Sequence, residues 1–394
     1  MLKFGRRHNL LYATMFVIFN FLRKVDSILM KNIMEFNGSL LLTSLMFIAD
    51  FISGLAVYLY NLKYLKEKKA STFMGIELIQ APSNITSPDG FFKIFLFLLM
   101  ASYLDFAEYV LSTFYIPVKY SDVSISIEWR LKTIIICTSA CLCYFSLNFP
   151  IFKHQVISII TIAFCLLIVI LIEIIAYSNS ENNSIGYILK VIFLMIIDHI
   201  FNSGLDIIEK YLLEYDFMNP YLILMVEGIM GFILSLIVSI FEDPFKQLRK
   251  IYNNESETSK FTYLIICIIL YFLLSCGRNI YRITTTKLFS PTHKALFDYI
   301  IVPLLIIYYY IWDDDFRIDG KRVFYYFFIN LIISLIMVFC GLIYNELIII
   351  FFCGLEYNTH YEVSKRAKKI ESRSFNNSSI NESESELSSF YTDD

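Results

Sequence analysis

A chain of 394 residues that is 57% hydrophobic and only 18% charged, with a mean hydropathy of +0.60, carries more apolar surface than one soluble core of that size can bury, so lipid must be its solvent. Its net charge of −3, with basic residues gathered in short clusters at segment ends, excludes the continuous basic face on which nucleic acid binds. The eight cysteines all lie in hydrophobic stretches without CxxC spacing or paired histidines, which argues against a zinc or disulfide framework and makes them small core residues.

Ten hydrophobic stretches approach or exceed the roughly 20 residues that a helix needs to cross a bilayer core. They cover residues 9–29, 38–62, 91–116, 130–149, 154–177, 185–213, 218–241, 261–284, 291–312 and 323–354. The first is the weakest, because Arg23, Lys24 and Asp26 sit in its last turns. No small-residue cleavage pattern follows it, so it is read as a retained helix and not a signal peptide. The last is long for one span and is expected to tilt, or to leave the membrane near Asn345 and Glu346. Stretches this long and continuously apolar are helices and not barrel strands, since the backbone must satisfy itself in hydrocarbon. The fold class is therefore all-α, a polytopic membrane bundle of about ten transmembrane helices.

An even number of spans puts both termini on one side, and basic residues near the membrane mark the cytosolic side. Arg6, Arg7, Lys63, Lys66, Lys68, Lys69, Lys365, Arg366, Lys368 and Lys369 place both termini in the cytosol, whereas Lys246, Arg249, Lys250 and Lys260 run against that orientation. Residues 182–184 and 254–256 match the glycosylation acceptor pattern on the opposite side, but 84–86 matches it on the side of the termini, as chance allows in so Asn-rich a chain. From about residue 371 the chain turns to Ser, Asn and Glu, a composition that cannot build a core and predicts a disordered cytosolic tail over 356–394.

Ionisable residues inside a membrane are costly and face a bundle interior or a water-filled cavity. Here they are Asp50 in the second stretch, Asp105 and Glu108 in the third, Arg130 opening the fourth, and Asp198, His199, Asp206 and Glu209 in the sixth. Glu227 follows in the seventh, Arg278 and Arg282 in the eighth, and Asp298 in the ninth. Asp105 and Glu108 are three apart and Arg278 and Arg282 four apart, so each pair shares a helix face. Two guanidiniums on one face suit a phosphate or carboxylate ligand. The bland reading is that these groups hold helices together, with Asp105 and Arg130 as a structural ion pair and His199 as a hydrogen-bonded core residue. Gly228 and Gly231 are three apart, not the GxxxG spacing, yet they permit close helix approach. No phosphate loop, HExxH, GxSxG or dinucleotide fingerprint is present.

In order, these residues resemble the drug/metabolite transporter superfamily, specifically the nucleotide-sugar-transporter-like, F-like branch of solute carrier family 35. The similarity runs to about residue 354. It is carried by Asp105, the polar run 121–126, Glu128 and Arg130 in the third and fourth stretches. "GLDIIEKYLLEYDFMNPYLILMVEGIMGFIL" is the most specific segment, with Glu209, Lys210, Pro220, Glu227, Gly228 and Gly231 in matching places. "RNIYRITTTKLFSPTHKALFDYIIVP" adds Lys287, Ser290 and Asp298. Glu128 stands where that branch is expected to carry Gln, and Arg278 and Arg282 have no clear counterpart there.

The resemblance implies two five-helix inverted repeats, over 1–177 and 178–355, enclosing a central cavity with alternating access. The expected function is secondary-active transport of a small anionic, nucleotide-sugar-like metabolite across an endomembrane such as Golgi, ER or a lysosome-like organelle, without a cofactor and without enzymatic activity. Arg130, Arg278, Arg282 and Lys287 are the substrate-binding candidates, and Asp50, Asp105, Glu108, Glu209, Glu227 and Asp298 the gating or coupling candidates. The expected partners are the solute and the lipid bilayer, and a homodimer is compatible with this reading. Two alternatives stand beside it: a membrane-embedded transferase using Asp198, His199 and Asp206, and a non-transporting scaffold that uses its acidic tail.

Overall fold

The computed structural model describes residues 7–34, 36, 40–68, 72–73, 76–77, 88–116, 131–147, 149, 151–178, 185–216, 218–252, 258–312, 317–318, 321–322, 324–349, 359, 362 and 365–366. Glu128, Arg130, all three glycosylation-type triplets and the tail beyond 371 lie outside the described residues. Twelve helices are described: α1 Arg7–Met34, α2 Leu40–Lys68, α3 Pro88–Tyr109, α4 Ile134–Leu147, α5 Lys153–Ser178, α6 Ile185–Glu214, α7 Pro220–Ser239, α8 Lys246–Tyr252, α9 Thr258–Leu288, α10 Pro291–Tyr299, α11 Ile301–Trp312 and α12 Phe324–Tyr344. Two antiparallel pairings of two residues each, β1 (Thr72–Phe73) with β2 (Ile76–Glu77) and β3 (Arg317–Ile318) with β4 (Lys321–Arg322), lie in connections.

Each of the ten hydrophobic stretches contains helix. Eight helical passes are long and apolar enough to cross a membrane: α2, α3, α5, α6, α7, α9, α10 with α11, and α12. This is a multi-pass, all-α membrane protein. The remaining two stretches fall short of a span for visible reasons, since α4 has only 14 residues and α1 carries Arg23, Lys24 and Asp26 in its second half.

Lipid exposure is written into α5. Ile157, Ile160, Phe164, Leu167, Leu171 and Ile175 recur every three or four residues and are all exposed, forming one apolar stripe of the helix. Ile162, Cys165, Leu166 and Val169 on its other side are buried in the largest apolar cluster. An apolar surface of this extent is stable only against hydrocarbon.

Three local breaks shape the bundle. Past Tyr109, α3 widens into a π-helical turn over Val110–Tyr115, a one-residue insertion of the kind that re-aims the side chains around it. The ninth pass divides at Ile300 between α10 and α11, where Pro303 lacks the N–H that would bond the Tyr299 carbonyl. The last pass ends at Tyr344 and turns through Asn345 and Glu346, the latter at φ 57, so the helix stops where Asn345 and Glu346 suggested. Two helix starts are capped: Asn219 accepts from the Tyr221 N–H ahead of Pro220, and Ser290 accepts from the His293 N–H ahead of Pro291.

Most of the stronger helix contacts recur when the ten helical stretches are shifted by five. Taking α10 and α11 as one pass and setting the short α8 aside, α1 packs on α9 as α6 packs on α3, and α9 packs on α2 as α3 packs on α7. Likewise α4 packs on α6 as α10 and α11 pack on α1, and α4 on α5 as α11 on α12. The pairs α2 with α7, α5 with α12, and α4 with α10 map onto themselves.

The α2–α7 contact is the tightest of these. A Cβ on Gly228 would stand 2.4 Å from the Phe51 nitrogen and 2.8 Å from the Phe47 carbonyl oxygen. One on Gly54 would stand 2.9 Å from the Tyr221 carbonyl oxygen. The two helices therefore meet backbone to backbone, each through a glycine of its own.

Candidate functional site

A buried polar layer occupies the middle of the bundle, with an apolar cluster on either side of it. Along α2, Leu42, Met46 and Phe47 belong to one cluster, Asp50 follows, and Val57 and Tyr58 pack on another. Along α3 the order is reversed: Ile94 and Leu98, then Asp105, then Phe106 and Tyr109. On α7, Met218 to Leu224 precede Glu227 and Phe232 follows it; on α9, Leu264 and Tyr271 precede Arg278 and Arg282, and Ile283 follows. Polar side chains of four helices thus lie between two apolar plugs.

The layer is organised by its cations. Arg282, 2% exposed, directs one fork nitrogen to Glu209 Oε1 and the other to Glu227 Oε2 at 3.0 Å, so α6, α7 and α9 meet on one guanidinium. Lys294 on α10 donates to Asp206 Oδ1 at 2.6 Å, and Lys132, just ahead of α4, reaches Asp298 Oδ2 at 3.1 Å. Asn20 of α1 also donates to Asp298. Lys210 is occupied in a different way. It pairs with Glu214 at 2.7 Å and donates to the Thr286 and Lys287 carbonyls at 3.1 Å each, closing the negative end of α9.

Arg278 differs from all of these. Its side chain is 3% exposed and donates to the Tyr109 hydroxyl and, at 3.1 Å, to Asn279 Oδ1. Both partners are neutral, and its Nε has no hydrogen-bond partner among the described residues. It is a buried full charge whose hydrogen bonds go to dipoles alone, with Asp298, Glu108 and Asp50 within electrostatic reach but not hydrogen-bonded to it, an arrangement that favours an incoming anion.

The expected site residues are therefore divided by the structure. Asp50, Asp105, Glu209, Glu227, Arg278, Arg282 and Asp298 are all buried in the interior. Glu108 is partly buried and accepts from Asn202 Nδ2 at 3.0 Å. Lys287 sits at the C-terminal end of α9, five residues beyond Arg282. Asp198 and His199 are buried beside one another, with Nδ1 and Oδ2 3.5 Å apart. The face shared by Arg278 and Arg282 did not disclose that two carboxylates from other helices take up Arg282.

Residue-by-residue reading also missed Lys132, Lys294, Asn20, Asn202, Tyr109 and Asn279. One signal was present: Lys294 and Asp298 lie four apart at the head of the ninth stretch, a spacing that puts both on one helix face. Among the described residues, no group of three or more His, Cys, Asp or Glu is placed to hold a metal ion. Searches against protein-family models and against curated proteins found no match to this chain.

Proposed function

We propose that this membrane protein is a secondary-active carrier that moves a small anionic solute by alternating access. The observation that carries the reading is the polar layer closed on both sides by apolar clusters. A polar centre shut from both ends is what a carrier needs in its occluded state, with one plug opening at a time. Arg278, charged and hydrogen-bonded only to neutral partners, supplies the attraction for an anion, whereas Lys132 and Lys294 are taken up by Asp298 and Asp206.

The architecture we propose is two inverted repeats of five helices, over 1–177 and 178–355. Two features support it: most of the stronger helix contacts recur under a shift of five stretches, and α2 and α7 meet through Gly54 and Gly228. An odd number of passes per half would give the halves opposite orientation in the membrane. The resemblance to the nucleotide-sugar-transporter-like branch points to a nucleotide sugar or related metabolite, an endomembrane location and cytosolic termini.

The test is uptake into proteoliposomes from a panel of labelled nucleotide sugars, nucleotides and small metabolites, with Arg278→Gln beside the unaltered protein. A charge-assisted hydrogen bond contributes about 1.5–3 kcal/mol. Saturable uptake should therefore have its half-saturation concentration raised about tenfold or more by Arg278→Gln. Uptake of a panel anion with the same affinity in both proteins would remove Arg278 from the site. Absence of uptake for the whole panel would count against the carrier reading.

A further inference from the structure

The carboxyls at the centre of the bundle outnumber the cations that face them. Within electrostatic reach of Asp50 on α2 are Glu227 on α7, Arg278, Arg282 and Cys276 on α9, Glu209 on α6, Arg23 on α1, and Asp105 on α3, which in turn interacts with Glu108 and Tyr109 of its own helix. Lys132 with Asp298 and Lys294 with Asp206 cancel in pairs. What remains is five carboxyls, Asp50, Asp105, Glu108, Glu209 and Glu227, against three guanidiniums, Arg23, Arg278 and Arg282.

The excess of two falls on identifiable residues. Glu209 and Glu227 each hold Arg282, and Glu108 accepts from Asn202. Asp50, 1% exposed, has neither carboxylate oxygen hydrogen-bonded among the described residues, and Asp105, also 1% exposed, has Oδ2 without a partner. Ionised, Asp50 would have no donor on either oxygen and Asp105 none on Oδ2 among the described residues, and the guanidiniums within reach are already outnumbered, at a cost of several kcal/mol. The adjacent π turn sets the faces of α3 on either side of it, and α2 carries Asp50 toward the same layer.

We propose that Asp50 and Asp105 form a proton-binding site, and that protons are the coupling ion of the carrier. Each of the two carboxylates takes one proton, on one of its oxygens, from water on one side of the membrane and returns it to water on the other, with no other bond made or broken. An anion arriving at Arg278 adds negative charge to a layer that already has an excess of it, so anion and protons bind in the same state and travel together. The purpose of the site rests on the carrier reading, but its existence is tested without any solute.

The experiment uses the full chain in proteoliposomes. A stepwise change in external proton concentration, with no solute present, should displace charge saturably across a supported membrane. Asp50→Asn and Asp105→Asn should each lose part of that displacement, and the double variant all of it. Infrared difference spectra at neutral pH should show the carbonyl stretch of protonated carboxylic acid, shifted in heavy water and weakened in each variant; Asp50→Glu should keep the band at an altered frequency. Displacement unchanged in the double variant would overturn the proposal, as would absence of the band at neutral pH. So would failure of both single variants to fold, because a neutral carboxyl tolerates replacement by the amide of the same shape. Proton displacement that is lost as predicted, in a protein that takes up no solute on the panel, would overturn the carrier reading and leave the proton site standing.

Discussion

Two arginines four residues apart on one helix have acquired opposite environments. Arg282 is the junction of three helices, because Glu209 and Glu227 converge on it. Removing it leaves two carboxylates buried without a counter-ion, and breaking a buried pair in this way costs about 3–5 kcal/mol. Arg282→Met should therefore lower the thermal unfolding temperature in detergent strongly, and adding Glu209→Gln and Glu227→Gln to that variant should restore most of the loss. Arg278→Met removes a charge whose partners are neutral, Tyr109 and Asn279, so its unfolding temperature should fall much less. Equal loss in the two variants would mean that Arg278 is a structural residue too. The sequence showed that both side chains share a face and are intramembrane. It could not show which of them would be neutralised, because the carboxylates lie 73 and 55 residues away along the chain and only the fold decides who meets whom.

At the level of elements, hydropathy located all ten helical stretches, because the need to satisfy the backbone in lipid leaves long apolar runs no other form. It missed the internal breaks, since the π turn at Val110–Tyr115 adds a single residue to a helix without altering its composition. Pro303, which stands inside the stretch read as one span over 291–312, marks the division between α10 and α11. Pro303→Ala would restore a donor for the Tyr299 carbonyl; the expected result is a straighter α10–α11 with slowed uptake and a fold at least as stable, measured by transport rate beside thermal unfolding. The glycines make a sharper comparison. Alanine at Gly228 would push a methyl to 2.4 Å from the Phe51 nitrogen, a backbone atom with little freedom to move, while nothing lies within 4 Å of a Cβ on Gly186. Overpacking of this kind costs about 1–3 kcal/mol, whereas an exposed helical Gly→Ala change gains up to about 1 kcal/mol. Gly228→Ala should be measurably less stable than the parent in thermal unfolding and Gly186→Ala no less stable. A neutral Gly228→Ala would mean that α2 and α7 are not locked backbone to backbone.

On the scale of the whole molecule, the inverted repeats we propose would tie the polar layer to the architecture. The self-paired contacts, α2 with α7, α4 with α10 and α5 with α12, are those that a two-fold axis would cross, and the polar layer is built beside them. On that proposal Lys132 at the head of the fourth stretch and Lys294 at the head of the ninth would occupy corresponding places. Composition and hydropathy do not disclose such a relation, because it would rest on contacts between helices more than on a pattern of residues. The relation makes a definite demand on topology. If each half contributes five crossings, the connection at 179–184 must face away from both termini, and the connection at 240–257 must face the same way as 179–184 despite Lys246, Arg249 and Lys250. Single reactive cysteines placed at 181 and 255, in a background with the native cysteines replaced, should be labelled by an impermeant reagent from the side opposite to tags at the two termini. Labelling of either site from the same side as the termini would leave the halves without opposite orientation, and rocking of one half against the other would lose its structural basis.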